Sequence, residues 1–454
     1  MKSYSPEQIY LKSPTWVQNV LVSIYGYLEH QRRYTGEHEA LKLQLKNNEY
    51  KRTEELELIK KRKLDQIIST AINKVPYYQK LNIQKLELSE FPLLDRQTVA
   101  DNTEDFVNRS YKESELIALY TGGSTGNPLK VYVSKAIRQR SYAFWSAFYA
   151  RMGFEIGDKK ASFVGRKLQR PDDDTPPFWR YNLKDRQLLF SSYHMSEQNL
   201  PHYLEKLNKF KPRVIEGYPL SIYRLAEYIL RNNSKLEFKP TGISTSSENF
   251  TNAQRCTMET AFQCKVFDQY GSAESVVFAS ECVHGKMHIE PEYGIVEILT
   301  SEGSIHSEGT GELVVTTLLN DAMPLIRYRI GDLGQLAYED CDCGRNTAIL
   351  KNLDGKVGAV IVNGDKRVPT AAIAIAFEYL EGIKNAQIIQ NQPSSAIVKL
   401  VKKSDFNPET EDYMLWQLRG MLGEGLEISV EYVNEIPPEK NGKYRMVVQN
   451  HFIY

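Results

Sequence analysis

Several features that would mark a particular kind of protein are missing from this chain of 454 residues. Lysine and arginine together number 57, as do aspartate and glutamate, so net charge gives no general attraction to nucleic acid or to an anionic membrane. No apolar run approaches the length of a membrane span, and the N-terminus lacks a signal-peptide pattern. Five cysteines in so long a chain do not indicate a disulfide scaffold. We therefore expect a cytoplasmic protein that has no transmembrane segment and binds no nucleic acid.

The length of the chain and the order of its elements predict an α/β fold in two domains. A chain this long exceeds the size at which one hydrophobic core keeps growing. Apolar strands alternate with helical stretches from about residue 114 to residue 330, which is typical of an α/β body with layered sheets and helices. After residue 353, a helix-strand-strand-helix-strand order indicates a small α+β domain. The predicted domains are residues 1–353, with a helical extension over 1–75, and residues 354–454.

An amphipathic helix is predicted over residues 14–33. Trp16, Val20, Ile24 and Leu28 recur at helical spacing and form one face of it. The favoured interpretation is that this apolar face packs on the body of the protein. The alternative is a surface anchor, which would attach the protein peripherally to a membrane or to a partner complex.

A loop rich in glycine and hydroxyl side chains follows the apolar residues Leu119 and Tyr120. Glycines let backbone N–H groups converge on an anion, and Ser and Thr hydroxyls donate to phosphate oxygens. No lysine follows Gly126, so the loop is not the P-loop of nucleotidases. We interpret it as a phosphate-binding loop, with an ordinary hydroxyl-rich turn as the alternative. Its candidate ligands are Thr121, Gly122, Gly123, Ser124, Thr125 and Gly126.

Three further segments carry related chemistry. Residues 267–274, Phe-Asp-Gln-Tyr-Gly-Ser-Ala-Glu, indicate a strand that ends in a turn with a carboxylate. Residues 327–332 read Arg-Tyr-Arg-Ile-Gly-Asp, and residues 436–445 form a turn that presents a lysine. Together with the glycine-rich loop, these segments resemble the adenylate-forming (AMP-binding) superfamily. Within it, the chain is most similar to the phenylacetate-coenzyme A ligase branch and to the capsular-polysaccharide biosynthesis proteins related to that branch.

The resemblance implies a large adenylate-forming body, a small mobile C-terminal domain, and ATP and Mg²⁺ as ligands. In adenylation a carboxylate attacks the α-phosphate, so the charge of the leaving pyrophosphate must be neutralised. Glu274 would hold Mg²⁺, which prefers carboxylate and phosphate oxygens. Asp332 would accept hydrogen bonds from the ribose hydroxyls, and Tyr270 would lie against the adenine. Further candidates around the nucleotide and the acyl group are Ser247, Glu248, Gly271 and Ser272.

Lys443 is the residue that we expect to act in the adenylation step. Its ammonium is charged at neutral pH and lies in a glycine-containing turn, so it can reach between the carboxylate and the α-phosphate. The alternative is an ordinary exposed lysine. The resemblance also implies that the small domain rotates after adenylation. The usual acidic hinge is replaced by Gly355-Lys356-Val357-Gly358, which leaves the hinge residue unassigned, and Lys356 would replace the usual arginine as a ribose or phosphate contact.

Cysteine and histidine form a second constellation. Cys282 lies six residues before His288, and Cys341 and Cys343 follow about fifty residues later. Three thiols and one imidazole meet the requirement of a tetrahedral structural zinc site, although neither spacing is that of a zinc finger. Some phenylacetate ligase-like proteins carry a site of this form, which favours His288 over the competing His284. The alternative is that the cysteines are small buried hydrophobes.

Three functions are compatible with this sequence. The leading hypothesis is an ATP- and Mg²⁺-dependent ligase that adenylates a small-molecule carboxylic acid and transfers the acyl group to the thiol of coenzyme A. The second is an adenylate-forming amide ligase of polysaccharide biosynthesis, which uses an amine acceptor. The third is a non-catalytic nucleotide-binding scaffold, against which the presence of Lys443 and Glu274 argues. Tyr218 and His194 are candidate contacts of the acyl group, although a lone histidine in a loop is more often structural.

Overall fold

The computed structural model describes residues 6–120, 129–170, 173–248, 250–356, 360–363, 366–369, 373, 377, 380, 382–423, 425–437 and 444–450. At residues 6–8, 164, 352, 354–356, 360, 366, 367 and 369 only the backbone is described. Helices and strands alternate through most of these residues, so the predicted α/β class is confirmed. Over the same residues, no helix is both long enough and apolar enough to cross a membrane.

Helices occupy most of the first eighty residues and then alternate with strands. Local sequence signals set where several of them begin. Thr251 and Gln254 form a reciprocal capping box at the start of one helix, with backbone-to-side-chain bonds of 3.2 and 2.9 Å. The helices are α1 Pro6–Lys12, α2 Thr15–Arg33, α3 Glu37–Asn48, α4 Thr53–Lys74, α5 Pro76–Gln79, α6 Arg96–Asp101, α7 Lys135–Arg151, α8 Leu200–Phe210, α9 Pro219–Arg231, α10 Asn252–Phe262 and α11 Pro408–Leu422.

The strands form one large sheet and several small ones. They are β1 Leu116–Tyr120, β2 Lys130–Ser134, β3 Lys160–Val164, β4 Trp179–Asn182, β5 Gln187–Ser191, β6 Val214–Gly217, β7 Gly242–Ser246, β8 Val266–Gly271, β9 Phe278–Glu281, β10 Met287–Ile289, β11 Gly294–Leu299, β12 Ile305–His306, β13 Gly309–Thr317, β14 Tyr328–Ala337, β15 Ile349–Lys356, β16 Val360–Asn363, β17 Lys366–Pro369, β18 Ile383–Gln392, β19 Ser395–Lys402, β20 Glu427–Tyr432 and β21 Val447–Gln449. The large sheet has thirteen strands in the order β12-β11-β13-β14-β15-β10-β9-β8-β7-β6-β3-β5-β4.

The large sheet is parallel at one end and antiparallel at the other. Strands β5, β3, β6, β7 and β8 are parallel neighbours, and their apolar residues pack with α8, α9 and α10 into one core. From β9 onward the neighbouring strands are antiparallel. Parallel strands need crossover helices, which cover both faces of that part of the sheet. The alternation of strands and helices in the sequence therefore reflects this parallel region.

Helix α2 covers the edge of the large sheet with its polar face. Strand β4 is the last strand at that edge, so its outer backbone groups have no neighbouring strand. Asn19 Oδ1 accepts from Tyr181 N at 2.8 Å, and Ser23 Oγ donates to Tyr181 O at 3.2 Å. Ser23 Oγ also accepts from Leu183 N at 3.1 Å. The helix itself is predicted correctly, but the favoured interpretation of its packing is wrong, because its apolar side chains face outward and its polar ones meet the body.

A four-stranded sheet and α11 form a second core near the C-terminus. The sheet order is β20-β19-β18-β21, and its apolar side chains pack against Met414, Leu418 and Leu422 of α11. The strands and the second helix of the predicted helix-strand-strand-helix-strand order are therefore confirmed. The predicted helix over 370–382 falls mostly outside the described residues. The domain boundary between residues 353 and 354 stays a prediction.

A glycine fixes the contact between the antiparallel strands and the loop that follows β8. Gly294 begins β11, and a Cβ added there would come within 1.9 Å of Val276 O and 3.0 Å of Thr316 O. Both atoms belong to the backbone, Val276 in the turn between β8 and β9 and Thr316 in β13, and neither can move away without distorting the segments on either side of it. Gly294 therefore permits a close approach that no other residue type allows.

We predict that Gly294→Ala destabilises the protein by about 3 kcal/mol, because the added methyl group overpacks a rigid backbone contact. The measurement is urea unfolding followed by circular dichroism. Gly420→Ala is the matched control, since Gly420 is exposed within α11 and its added Cβ would meet nothing within 4 Å. It should leave stability unchanged or raise it by about 1 kcal/mol. Equal stability of the two variants would contradict the close contact.

Candidate active site

The carboxyl ends of neighbouring parallel strands define a crevice on the large sheet. Strands β6, β7 and β8 end at Gly217, Ser246 and Gly271. Because Ser246 pairs with Gln269, β7 and β8 end close together along the same edge of the sheet. At β8 the sheet changes from parallel to antiparallel, because β9 runs against β8. In open α/β sheets, ligands bind in the crevice outside the carboxyl ends of the parallel strands.

Tyr270 joins two of the sequence segments at this crevice. Its hydroxyl donates to Asp332 Oδ2 at 2.6 Å, which links the end of β8 to β14. Burial, and then the nearby carboxylate of Asp332, raise the pKa of Tyr270 well above its usual value. The phenol is therefore neutral and a permanent donor, and it holds the buried Asp332 carboxylate in one orientation.

The turn after β8 places a buried carboxylate next to an unsatisfied hydroxyl. Glu274 is buried, and Ser272 Oγ is buried without a hydrogen-bond partner among the described residues. The turn is fixed from the other side by Thr317, whose hydroxyl donates to Ser275 O at 2.8 Å. A buried hydroxyl without a hydrogen-bond partner destabilises the folded state unless a ligand or a water forms a hydrogen bond with it. A ligand at this turn would satisfy it.

The turn after β7 contacts the C-terminal part of the chain. Ser247 has a positive φ of 72°, and Glu248 Oε1 accepts from Tyr444 N at 3.2 Å. Arg224 on α9 donates to the Tyr444 hydroxyl at 3.2 Å, and its guanidinium lies 4.9 Å from the centre of the Tyr444 ring. The segment that contains Tyr444 is thus held against the crevice by both its backbone and its ring.

Several predicted site residues lie outside the described residues. They are Lys443 and the whole loop Thr121, Gly122, Gly123, Ser124, Thr125 and Gly126. The described strands on either side of that loop, β1 and β2, pair as an antiparallel hairpin. Lys356 is described by its backbone alone, which lies directly opposite Asp332 in the β14–β15 pair.

A cavity of about 210 Å³ lies beside the crevice. Its wall includes Gly217, Ser244 and Ser246 at the strand ends, and aromatic side chains of α7 such as Tyr142 and Trp145. Neither Tyr218 nor His194 lines it. Both ring nitrogens of His194 are engaged, with Ser191 Oγ at 2.7 Å and Arg170 O at 3.0 Å, so this histidine is a structural group.

A half-buried ion pair forms one polar part of this cavity. Lys160 Nζ lies 3.0 Å from Glu216 Oε2, and Ser162 Oγ donates to Glu216 Oε1 at 2.5 Å. Tyr149 also donates its hydroxyl to Glu216. Burial alone raises the pKa of Glu216, but Lys160, Ser162 and Tyr149 outweigh it and leave the pKa below its usual value. Sequence reasoning missed this group, although a lone carboxylate after the apolar residues of a buried strand was an available signal.

The predicted cysteine and histidine cluster is assembled in the structure. The ligand atoms of Cys282, His288, Cys341 and Cys343 all lie within 4.8 Å of one another. Cys282 Sγ is 3.7 Å from Cys341 Sγ, and Cys343 Sγ is 3.4 Å from His288 Nε2. The other ring nitrogen of His288 lies 3.1 Å from Thr347 Oγ1, which fixes the orientation of the ring.

Comparison with known proteins agrees with this geometry. The model of a family described as the CapK C-terminal domain matches residues 360–450. Protein CapK of Staphylococcus aureus is 31% identical over 97% of this chain and 99% of its own length. Phenylacetate-coenzyme A ligase of Thermus thermophilus is 30% identical over 40% of this chain and 43% of its own. A crystal structure of 2-hydroxyisobutyryl-CoA ligase in the postadenylation state superposes with a TM-score of 0.69 at 18% identity, covering 88% of this chain and 91% of that one.

The fold is thus that of an adenylate-forming ligase, with a large body and a small C-terminal unit. The near-full-length similarity is more specific. The chain belongs to the CapK family, in the phenylacetate-CoA ligase-like branch of the adenylate-forming superfamily, and is an enzyme of that ligase class.

Two carboxyl groups on β8 and β9 lie close enough for the charge of one to affect the pKa of the other. Asp268 Oδ1 accepts from Thr245 Oγ1 at 2.7 Å, and Glu281 pairs with Arg255 at 2.7 Å. Burial, and then the charge of Glu281, raise the pKa of Asp268 to about 8. Asp268 is therefore protonated at neutral pH, and Arg255 is left to neutralise Glu281.

The raised pKa of Asp268 predicts that stability falls as pH rises from about 4 to 8. Over this window the folded protein keeps a proton that an unfolded Asp, with its ordinary pKa of about 3.9, has released. We expect Asp268→Asn to remove a slope on the order of 1 kcal/mol per pH unit, measured as urea unfolding at pH 5 and pH 8. The control is Asp405→Asn, at an exposed site. An unchanged slope in Asp268→Asn would mean that Asp268 is ionised in the folded state.

Proposed function

We propose that this ligase activates a carboxylic acid as an acyl-adenylate and then transfers the acyl group to the thiol of coenzyme A. The observation that carries the proposal is the hydrogen bond between Tyr270 and Asp332, which joins two of the nucleotide motifs at the strand ends. The contact of Tyr444 with Glu248 brings the segment next to Lys443 in sequence to the same crevice.

The nucleotide is a substrate, and the residues at the crevice suit its parts. Asp332, oriented by Tyr270, accepts hydrogen bonds from the ribose hydroxyls. The ring of Tyr270 offers a flat face to the adenine, bordered by Gly271, Ser247 and Glu248. The loop from Thr121 to Gly126 holds the β- and γ-phosphates by N–H and hydroxyl donors.

Glu274 and Ser272 suit a magnesium–phosphate complex. The buried carboxylate is a hard oxygen ligand, and the unsatisfied Ser272 hydroxyl beside it is available to a phosphate oxygen or a metal-bound water. Mg²⁺ supplies charge neutralisation for the departing pyrophosphate. Lys443 is the cation to which we assign the same task at the acid itself.

In the first step a carboxylate oxygen of the acid attacks the α-phosphorus, and the bond from that phosphorus to the bridging oxygen breaks. Lys443 stabilises the charge that develops between the two anions, and Lys356 contacts the ribose or the phosphate. In the second step the thiolate of coenzyme A attacks the acyl carbonyl, and AMP leaves. Each step exchanges one leaving group for one nucleophile.

The cavity beside the crevice indicates a polar acid. A hydrocarbon or aryl tail would remove water from the Lys160–Glu216 pair and return no hydrogen bond, which is unfavourable. An acid with hydroxyl or amino groups can exchange hydrogen bonds with Glu216 and Ser244 while its carbon skeleton lies on the rings of Tyr142 and Trp145. We therefore assign hydroxylated or amino-bearing acids as the substrate class.

A second candidate keeps the adenylate but uses an amine as the acceptor. The similarity to CapK over nearly the full length of both chains favours this amide ligase of polysaccharide biosynthesis. A shorter similarity, 22% identity over 55% of the chain, is to indoleacetate–lysine synthetase of Pseudomonas savastanoi. Both candidates share the adenylation step and differ only in the nucleophile. Membership of a ligase family argues against the non-catalytic scaffold.

We also propose that Cys282, His288, Cys341 and Cys343 hold a structural zinc ion. The donor set of three thiolates and one imidazole is typical of closed structural sites. The described geometry leaves the ligand atoms close enough for one ion, and Thr347 orients the histidine. The cluster joins the loop after β9 to the segment before β15, so a bound ion would cross-link two parts of the large sheet.

We predict that ATP–pyrophosphate exchange without coenzyme A is stimulated by hydroxy or amino acids more than by aryl or fatty acids. Lys443→Ala should lower the exchange rate by about 100-fold or more, because a cation is lost where charge develops in the transition state. Lys440→Ala, in the same turn, is the matched control and should keep the wild-type rate. ATP binding, measured by calorimetry, should persist in both variants.

Two results would contradict this proposal. No exchange with any acid pool, despite ATP binding, would exclude adenylation of those acids. A rate in Lys443→Ala equal to that of the control would remove Lys443 from the chemistry. Exchange driven only by aryl acids would leave adenylation intact but overturn the assignment of a polar acid. Addition of coenzyme A or an amine to the active acid then identifies the acceptor.

The zinc proposal predicts about one zinc per chain by elemental analysis. Cys341→Ser/Cys343→Ser should lose the metal, and its melting temperature should fall by at least about 5 °C, since binding energy of the metal is folding energy. Cys256→Ser is the control, because Cys256 is exposed and outside the cluster. Full stability of metal-free wild-type protein would refute a structural role for zinc.

A further inference from the structure

The outward side of α2 is a continuous apolar surface, which we call the outer face of α2. Its large apolar side chains are each 40 to 70% exposed. Their positions span about half of the helix circumference, because successive members are four, one, three, one, two and one residues apart. The members are Trp16, Val20, Leu21, Ile24, Tyr25, Tyr27 and Leu28. Contiguous exposed apolar surface of this kind indicates an interaction site.

Helix α2 cannot rotate to bury this face, because side chains on its opposite side already make hydrogen bonds to the body of the protein. Asn19 and Ser23 supply hydrogen bonds to the backbone of edge strand β4, and Gln18 Oε1 accepts from Arg180 Nε at 2.5 Å. Rotation of α2 would leave these buried groups without partners, at a cost for each one. The outward apolar face is therefore a stable property of the fold.

The surroundings of the outer face are cationic. Glu29 is the one carboxylate between Thr15 and Arg33, and it is buried. It contacts three guanidiniums, Arg32 at 2.9 Å, Arg33 at 2.6 Å and Arg138 at 2.9 Å, so this cluster carries a net positive charge. Arg32 is half exposed at one end of the face, and Lys12 is exposed near the other.

We propose that the outer face of α2 docks on the surface of a lipid bilayer that contains anionic lipids. Trp and Tyr favour the headgroup level of a bilayer, and the face carries Trp16 near one end and Tyr25 and Tyr27 towards the other. The aliphatic side chains between them enter the boundary of the acyl chains, and the flanking cations meet anionic headgroups. Leu183, exposed next to Ser23, and Lys184 extend the same pattern beyond the helix.

A second copy of this chain fits the face less well. In a two-fold contact the same surface meets itself, so two cationic clusters around Glu29 would be brought into one interface. No carboxylate on the face is available to pair with them. Like charges that approach across an interface oppose association, and they are favourable only against an anionic surface.

The test is flotation of the full-length protein with vesicles of phosphatidylcholine alone and of phosphatidylcholine with an equal amount of phosphatidylglycerol. We expect the wild type to float with the anionic vesicles and much less with the neutral ones. In Trp16→Gln/Ile24→Gln/Leu28→Gln the partition coefficient should fall by at least about tenfold, because each substitution removes a large apolar side chain from the lipid. All three side chains are exposed, so the fold should be retained, as checked by circular dichroism.

The matched control is Tyr413→Gln/Trp416→Gln on α11. These aromatic residues are as exposed as those of the outer face, but they lie in the C-terminal unit. The control should float like the wild type, and Arg32→Gln should weaken binding to anionic vesicles only.

Two outcomes would overturn the proposal. One is equal flotation of the triple variant and the wild type. The other is a wild-type dimer in light scattering without vesicles that becomes a monomer in the triple variant, which would assign the face to a second copy.

Discussion

The need to pair or cover every backbone group in the thirteen-stranded sheet governs both functional regions of this protein. At β8 the sheet changes from parallel to antiparallel, because β9 pairs with the end of β8, and the carboxyl ends of β6, β7 and β8 open on the crevice. At β4 the sheet stops, and polar side chains of α2 take the place of the missing neighbour. Pairing thus continues from β8 into β9 at the crevice, whereas at the open edge it is completed by α2, which leaves the apolar side of that helix facing outward.

Two carboxyl groups of the parallel region, Glu216 and Asp268, differ in their protonation. Glu216 stays ionised because Lys160 and two hydroxyls outweigh its burial, whereas burial, and then the charge of Glu281, keep the proton on Asp268. Both groups belong to the parallel region, where an unpaired charge would be strongly unfavourable. Fully satisfied polar groups of this kind are rigid. Glu216, Lys160 and Tyr149 line the cavity beside the crevice, so that wall has a fixed pattern of donors and acceptors.

Much of the fold follows from local sequence, because alternation of apolar strands with helices defines the parallel region and the small C-terminal sheet. The four metal-ligand candidates also assemble as expected, since thiols and imidazole in two clusters have few other uses at these spacings. The orientation of α2 does not follow. Periodicity identifies an apolar face but not the side on which it lies, and the hydrogen bonds that Asn19 and Ser23 make with Tyr181 depend on an edge strand more than 150 residues away. Glu216 is missed for a related reason, because its partner Lys160 belongs to a different strand.

The covered edge and the acyl cavity are physically connected. A second cavity of about 300 Å³ lies beneath α2, and Leu21 and Tyr25 of the outer face are part of its wall. Arg33, Arg166, Asp185 and Gln187 line this cavity and the one beside the crevice. A bilayer docked on α2 would therefore lie next to the space of this second cavity. An acid or acceptor carried on a lipid would be confined near that space, and confinement raises its effective concentration without any new contact.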